Sequence, residues 1–202
     1  MRVGILGLQG GIYEHLYHLK KSFTELGIDG EIKIVTDKGD LKDIDGIIIP
    51  GGESTTIGRL MTRLGLTEPL RRFITDGNTT LGICAGAILL AREAVDAEVG
   101  SVQQPLLNVM NIRAIRNYFG RQKNSFETLL EIKGLEGGPY KAIFIRAPVF
   151  QPISNSVEEL AKLDGKLVMA REENILVTSF HPELTRDNRI HKMFINMHIN
   201  RK

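Results

Sequence analysis

Short apolar segments alternate with helical segments in the first half of the chain. The apolar segments span residues 3–8, 32–35, 47–50 and 79–83, and the helical segments span residues 12–26, 60–74 and 87–94. Apolar runs of about 4–8 residues are typical of buried strands, whereas longer amphipathic runs are typical of helices. The alternation predicts a single three-layer α/β sandwich, in which a mainly parallel central sheet has helices on both faces.

The first helical segment has an apolar stripe and a polar face. Apolar side chains recur at steps of three and four residues, which places them on one side of a helix: Ile12, Leu16, Leu19, Phe23 and Leu26. We expect this stripe to pack on the sheet. The opposite face carries Glu14, His15, His18, Lys21 and Glu25. We expect that face to be exposed to solvent.

The second half of the chain has a different pattern. Strand-like runs follow one another closely, at residues 112–115, 128–132, 142–145, 167–170 and 175–179, and residues 189–198 have the apolar stripe of a closing helix. This half is therefore predicted to be β-rich and to add antiparallel strands to the sheet. Because no repeat or linker interrupts the pattern, we expect residues 1–202 to form one domain.

Composition narrows the classes of protein to which the chain can belong. The 202 residues carry 26 basic and 24 acidic side chains, for a net charge of +2, and include one cysteine. No internal disulfide is possible, and residues 1–7 are typical of a first strand rather than of a signal peptide, so we expect a cytoplasmic protein. No apolar run approaches the roughly 20 residues that span a bilayer. Neither a membrane nor a nucleic acid is predicted as a partner.

The single cysteine lies in a short glycine-flanked segment, residues 82–86, between a predicted strand and a predicted helix. Because glycine tolerates backbone angles that a β-carbon forbids, we expect the two glycines to let the backbone bend sharply and to expose the middle side chain, that of Cys84. The free N–H groups of the following helix should make the thiol more reactive and could bind an oxyanion. Cys84 is thus a candidate nucleophile. The alternative is that it is a small buried apolar residue.

A second candidate group follows the strand at residues 175–180. In an extended segment, residues two apart point to the same side, so the Glu183 carboxylate could accept a hydrogen bond from His181 and orient its ring towards a thiol. A base oriented by a third group is the usual arrangement for nucleophilic acyl transfer. Alone, the His-Pro-Glu sequence is equally compatible with a surface or capping histidine.

A glycine-rich loop follows the strand at residues 47–50. Paired glycines at positions 51 and 52 let the backbone approach a ligand closely, as an oxyanion hole or a carboxylate site requires. A phosphate-binding loop would need a Gly-Lys-Ser/Thr ending, which residues 50–55 lack. A simple tight turn remains the alternative.

Taken together, these segments resemble a known family. The Gly-x-Cys-x-Gly turn and the distant His-x-Glu sequence resemble the class I glutamine amidotransferases. Within that group, six segments resemble the glutaminase subunits of pyridoxal 5′-phosphate synthases, at residues 4–10, 50–56, 84–86, 119–122, 145–148 and 179–185. The resemblance covers nearly the whole chain. Two departures are Ile83, where threonine is usual, and residues 103–111, where Gly-Leu-Leu-Asp is more frequent than Pro-Leu-Leu-Asn.

The resemblance implies an activity. An enzyme of this kind hydrolyses L-glutamine to L-glutamate and ammonia, and passes the ammonia to a barrel-shaped synthase subunit. That partner makes pyridoxal 5′-phosphate from a pentose phosphate and a triose phosphate. By the same resemblance, Cys84 attacks the carboxamide and forms a thioester, His181 transfers protons, and Glu183 orients His181.

The resemblance also implies the remaining site residues. The glutamine-binding set is Gly52, Glu53, Ser54, Arg116, Ile145 and Arg146, and backbone N–H groups at Gly52 and Ala85 form the oxyanion hole. No metal or other cofactor is expected.

Three alternatives are left open. The first is a glutaminase serving another pathway, such as histidine or purine synthesis, and the second is a cysteine hydrolase or redox-protective protein of related fold. The third is a regulatory binding protein in which the cysteine has no catalytic role.

Overall fold

The computed structural model describes residues 1–101, 103–120 and 125–200. Its strands are β1 Arg2–Leu6, β2 Glu31–Val35, β3 Gly46–Ile49, β4 Thr79–Ile83, β5 Ala91–Asp96, β6 Gly100–Ser101, β7 Met110–Arg116, β8 Phe126–Leu130, β9 Tyr140–Phe144, β10 Val149–Pro152, β11 Glu158–Leu163, β12 Lys166–Glu172 and β13 Ile175–Thr178. Its α-helices are α1 Ile12–Leu26, α2 Ser54–Arg63, α3 Thr67–Thr75, α4 Ala85–Leu90 and α5 Arg189–Ile199.

The central sheet joins a parallel part to an antiparallel part. Its order over the described residues is β2-β1-β3-β4-β13-β12-β10-β7-β5-β6, and β11 also pairs with β12. In the run β2-β1-β3-β4-β13, each strand is parallel to the next. The pairs β13–β12, β12–β10 and β10–β7 are antiparallel. Strands β8 and β9 form a separate two-stranded antiparallel sheet. The predicted α/β class and its antiparallel addition are confirmed.

Helices cover both faces of the parallel part. Along β3, Ile47 and Ile49 contribute to one hydrophobic core and Ile48 to the other, because successive side chains of a strand point to opposite faces. Helices α2, α3 and α4 pack on the first face, and α1 and α5 pack on the second. A strand buried on both faces is predominantly apolar, which explains why β3 is a continuous apolar run and why β1 and β4 have polar residues only in their first one or two positions.

Several predicted boundaries were wrong. The helix predicted at residues 87–94 ends at Leu90, and Ala91–Asp96 forms strand β5, which pairs with β7. The sequence there favours a helix, but pairing with a neighbouring strand outweighs that local preference. The helical segment at 60–74 is two helices, separated where Gly65 adopts a left-handed φ of 66°. Strands β6, β10 and β11 were not predicted, since their short or charged sequences lack a clear alternation.

The helices of the described residues do not include a membrane span. Among the described residues, none combines the length and apolar character needed to cross a bilayer.

Candidate active site

The candidate site lies at the carboxyl ends of four neighbouring parallel strands. β1, β3, β4 and β13 are adjacent in the sheet, so the loops that follow them meet at one edge. This edge is where open α/β sheets usually bind ligands. A pocket of about 360 Å³ opens there, and its lining is formed by Gln9, Gly52, Glu53, Ser54, Cys84, Ile88, Arg116, Asn117, Ile145, Arg146 and His181.

Cys84 occupies the turn between β4 and α4. Its φ is +47°, in the left-handed region that residues with a β-carbon rarely adopt. Its backbone N–H donates to the carbonyl oxygen of Thr178 at 2.8 Å, and its carbonyl accepts from Ile88 at 3.1 Å. The side chain is only 6% exposed, yet it lines the pocket. A strained, firmly held thiol at a strand–helix junction is the geometry of a nucleophile turn.

The flanking glycines serve close packing rather than the bend itself. Neither Gly82 nor Gly86 has a positive φ. A β-carbon on Gly86 would overlap the carbonyl oxygen of Ile49, and one on Gly82 would lie 3.0 Å from the backbone nitrogen of Ala87. The expectation that glycine supplies the unusual backbone angle was therefore wrong, because Cys84 itself adopts that angle. The glycines let β3 and α4 approach the turn.

His181 faces the same pocket from the loop after β13. Its backbone N–H donates to the carbonyl oxygen of Ile143 at 2.8 Å, which fixes where the ring projects. Nδ1 of the ring lies 2.7 Å from Oε1 of Glu183. Burial alone would lower the pKa of His181, but interactions with Cys84 and with Glu183 raise that pKa to about 10. At neutral pH the ring of His181 is therefore the positively charged imidazolium.

Glu183 lies behind His181, away from the pocket. Its side chain is 3% exposed. Burial alone would raise the pKa of this carboxyl, but the hydrogen bond with His181 and the nearby His15 lower it below the usual value. The segment Pro182–Leu184 is a 3₁₀ turn rather than an extended strand. The predicted His181–Glu183 contact forms, although through this turn and not through the side-to-side alternation of a strand.

The six residues predicted to bind substrate all line the pocket. Gly52, Glu53 and Ser54 come from the loop and helix start after β3, Arg116 ends β7, and Ile145 and Arg146 follow β9. Ala85, predicted for the oxyanion hole, is the first residue of α4 and is buried beside Cys84. Of the segment 119–122 used for the resemblance, Arg121 and Gln122 lie outside the described residues.

Arg116 is held by a polar network at the pocket wall. Its Nη1 donates to Oε1 of Gln104 at 2.8 Å and lies 3.4 Å from Oγ1 of Thr55. Oγ of Ser54 donates to the same Gln104 oxygen at 3.1 Å. Gln104 thus ties the guanidinium of Arg116 to the start of α2. An arginine fixed in this way is suited to bind a carboxylate through two oxygens.

Three lining residues were not among the predicted site residues: Gln9, Ile88 and Asn117. Oε1 of Gln9 accepts a hydrogen bond from the backbone N–H of Glu53 at 2.8 Å, so the loop after β1 supports the loop after β3. The signal available in the sequence was position, because Gln9 directly follows a predicted strand, as the other candidate loops at residues 51–54 and Cys84 do.

Helix α1 buries two histidines that were predicted to be exposed. His15 is 0% and His18 is 2% exposed, so the solvated-face prediction was wrong for both. Nδ1 of His15 lies 3.0 Å from Nε2 of His191 on α5, and the rings of His18 and His191 stack at 4.8 Å. The cause is the packing of α5 against this side of α1, which sequence periodicity on α1 alone does not reveal.

Comparison with known proteins gives a consistent picture. Residues 5–200 match the profile described as the SNO glutamine amidotransferase family. A protein of Staphylothermus marinus named pyridoxal 5′-phosphate synthase subunit PdxT is 51% identical over 199 residues, covering 96% of this chain and 97% of that one. Proteins of the same name from Saccharolobus islandicus and Aeropyrum pernix are each 48% identical, with 98% of both chains covered.

Solved structures agree with the sequence comparison. A crystal structure of a glutamine amidotransferase superposes with a TM-score of 0.84 at 44% identity, covering 97% of this chain and 98% of that one. A glutamine amidotransferase from Thermotoga maritima, 13% identical, shares the fold with a TM-score of 0.64 and covers 100% of this chain and 85% of its own. With a family profile spanning nearly every residue and relatives of this similarity over their whole length, the chain belongs to the SNO glutamine amidotransferase family.

Proposed function

We propose that this chain is the glutaminase subunit of a pyridoxal 5′-phosphate synthase and that it hydrolyses L-glutamine to L-glutamate and ammonia. The observation that carries the proposal is the shared pocket of Cys84 and His181, with Glu183 2.7 Å behind the histidine ring. The full-length similarity to proteins named as PdxT subunits supports the choice of substrate and pathway.

The first half of the reaction forms a thioester. With the Cys84 proton on His181, the sulfur attacks the carboxamide carbon of glutamine, and the carbonyl oxygen becomes an oxyanion. His181 then donates its proton to the amide nitrogen, the carbon–nitrogen bond breaks, and ammonia leaves. The raised pKa of His181, about 10, supports this step, because the ring holds the required proton at neutral pH.

The second half restores the enzyme. His181 takes a proton from water as the water attacks the thioester carbon, and the carbon–sulfur bond breaks to release glutamate. Glu183 keeps Nδ1 of His181 protonated and stabilises the imidazolium in both halves. Backbone N–H groups at Gly52 and Ala85 stabilise the oxyanion.

The rest of the pocket binds and orients glutamine. Arg116 is assigned to the α-carboxylate, since its guanidinium is fixed by Gln104 and directed at the pocket wall. Glu53 offers a carboxylate for the α-ammonium group, and Ser54, Ile145 and Arg146 complete the lining. No resident metal or organic cofactor takes part in these steps.

The released ammonia passes to a barrel-shaped synthase subunit that builds pyridoxal 5′-phosphate from a pentose phosphate and a triose phosphate. We place the complex in the cytoplasm and assign residues 1–202 to one glutaminase domain.

The test is ammonia release from glutamine, measured by a coupled glutamate dehydrogenase assay, with and without the synthase subunit. Wild type should produce glutamate and ammonia in equal amounts. Cys84→Ala and the nearly isosteric Cys84→Ser should both lose more than about 99% of the activity, because the nucleophile is lost. A glutamine-like alkylating agent should label wild type at Cys84, and excess glutamine should protect it. More than a few per cent of wild-type activity in Cys84→Ala would contradict the assignment.

A further inference from the structure

The second carboxylate oxygen of Glu183 points to a residue that the triad does not include. Oε1 is occupied by His181, whereas Oε2 is buried without a hydrogen-bond partner among the described residues. Nε2 of His15 lies 3.8 Å from Oε2. That nitrogen is also buried and lacks a hydrogen bond. Two complementary polar atoms therefore face each other in a site from which water is excluded.

The hydrogen-bonding state of His15 follows from its neighbours. A carboxylate only accepts hydrogen bonds, so the His15 nitrogen that faces Glu183 has to carry the proton. Burial lowers the pKa of His15 to about 4, although Glu183 opposes that effect, so the ring is neutral at pH 7 and has a single N–H. Its Nδ1 is then an acceptor, and Nε2 of His191, 3.0 Å away, is the donor to it. The result is a directed chain from His191 through His15 to Glu183.

We propose that His15 is a positioning residue of the glutaminase: its Nε2–H group donates to Oε2 of Glu183 and holds that carboxylate in the orientation that His181 requires. The inference rests on the proposed function above and adds to it a role for α1 and α5. The two atoms are 3.8 Å apart in the free protein, beyond hydrogen-bond distance, so the proposal requires this separation to shorten when glutamine binds, as catalytic hydrogen bonds commonly do. His191 supports His15 from the other side.

The surroundings of His15 differ from those of the apolar core residues on the same helix. Leu19 and Phe23, on the same helix, pack against the second core with no polar atom to satisfy. His15 instead leaves one of its ring nitrogens without a hydrogen-bond partner in the free protein, at the place where the triad carboxylate has a vacant oxygen. Buried polar groups are normally hydrogen-bonded, so an exception needs an explanation. The role in positioning Glu183 supplies one.

Several ionisable groups act on Glu183, either directly or through a neighbouring residue. His181, His15, His18 and Tyr140 interact with the carboxylate itself, whereas Glu14 and His191 act on His15, and Cys84 acts on His181. Burial lowers the pKa of His18 and of His191, so both are neutral above pH 7, and burial raises the pKa of Tyr140 above the range of the assay. Loss of His15 should therefore appear as a change in the ionisation of Glu183.

The experiment compares His15→Leu, which keeps the volume but removes the donor, with His15→Gln, whose side-chain N–H₂ reaches the place of Nε2. Leu19→Val is the matched control, a buried change on the same helix without contact to Glu183. We expect His15→Leu to lower kcat about tenfold, with KM for glutamine within about twofold of wild type. The acid limb of its pH profile should move to higher pH, since Glu183 becomes easier to protonate. His15→Gln should recover most of both effects.

A readout independent of activity separates this inference from the proposed function. Nitrogen-15 NMR of the histidine rings should show His15 as the neutral Nε2–H tautomer, and the Nδ1–H signal of His181 should shift in His15→Leu but not in Leu19→Val. An Nδ1–H tautomer of His15, or an acid limb that does not move in His15→Leu, would overturn the inference. If wild type releases no ammonia, the proposed function fails while the NMR result still decides the role of His15. Should His15→Leu not fold, His191→Leu tests the same chain and should give a smaller shift in the same direction.

Discussion

Gly51 is the position where a single methyl group should disable the site. It precedes Gly52, the glycine proposed for the oxyanion hole, and a β-carbon built on it would lie 2.6 Å from Cε1 and 3.2 Å from Nδ1 of His181. Its φ lies outside the left-handed region, so alanine is compatible with the backbone. Any loss of activity in Gly51→Ala would thus come from contact with the His181 ring and not from backbone strain.

The size of the effect follows from the displacement that is needed. Ordinary contacts of a β-carbon begin near 3.4 Å. The His181 ring or the loop must therefore move by roughly 1 Å, and a misplacement of that size typically costs about a hundredfold in rate. Since His181 is also tied to Glu183 at 2.7 Å, the ring cannot move without weakening that hydrogen bond. We expect kcat of Gly51→Ala to fall about a hundredfold.

The assay is steady-state ammonia release by the isolated chain and by its complex with the synthase subunit. Gly39→Ala is the matched control, because a β-carbon there meets one side-chain oxygen, that of Asp37. The midpoint temperature of thermal unfolding should be nearly the same for both variants. In a His181→Asn background, Gly51→Ala should have almost no further effect, because the ring it displaces is absent. Activity of Gly51→Ala above about a tenth of wild type, or full additivity with His181→Asn, would refute the reasoning.

Three further predictions test other parts of the site. His181→Asn should be nearly as damaging as loss of the nucleophile, whereas Glu183→Gln should keep a measurable rate, because it weakens orientation without removing the proton carrier; equal rates for wild type and Glu183→Gln across the pH range would exclude Glu183 from the triad. Arg116→Lys should raise KM for glutamine about tenfold and change kcat little, since lysine lacks the planar fork; an unchanged KM would show that Arg116 does not bind the substrate carboxylate. In urea unfolding, the free energy of unfolding should fall by about 2 kcal/mol more for wild type than for His15→Leu when the pH is lowered from 7 to 5. The pKa of buried His15 is about 4, so below about pH 6.5 only the unfolded chain takes up that proton, and stability falls as pH falls. Equal losses in the two proteins would contradict that pKa.

The parallel half of the fold was predictable because its strands are buried on both faces. Such strands are mostly apolar, and amphipathic helices follow β1 and β3, although only a short 3₁₀ turn separates β2 from β3. Strand β5 was not predictable in the same way. Its residues favour a helix when considered locally, and only pairing with β7, about twenty residues later, makes them a strand. Local preference decides little where a long-range partner is available.

The residues proposed to react with substrate were predictable from the sequence, whereas the residues that hold other parts of the site in place were less so. Cys84 and His181 each follow a parallel strand, and the carboxyl ends of parallel strands meet at one edge of the sheet. In the structure these two strands, β4 and β13, are neighbours. Gln9 and His15 act on other protein groups, a loop N–H and a carboxylate oxygen, which depend on how α1 and the loop before it pack. Contacts of this kind arise from tertiary packing, and no pattern within α1 distinguishes a buried histidine from a solvated one.

Backbone hydrogen bonds help to set the relative positions of Cys84 and His181, the proposed nucleophile and base. The N–H of Cys84 is bonded to Thr178 at the end of β13, and the N–H of His181 is bonded to Ile143 on β9. Replacing the side chain of either residue leaves these bonds in place, so each variant of the proposed triad should keep the geometry of the other members. The strain at Cys84, with φ of +47°, is offset by the same bonds and by strands that are buried on both faces. One side of the pocket is therefore fixed by β4 and β13, and on the other side the chain at Gly51 and Gly52 passes so close to the His181 ring and to Gln9 that neither position has room for a β-carbon.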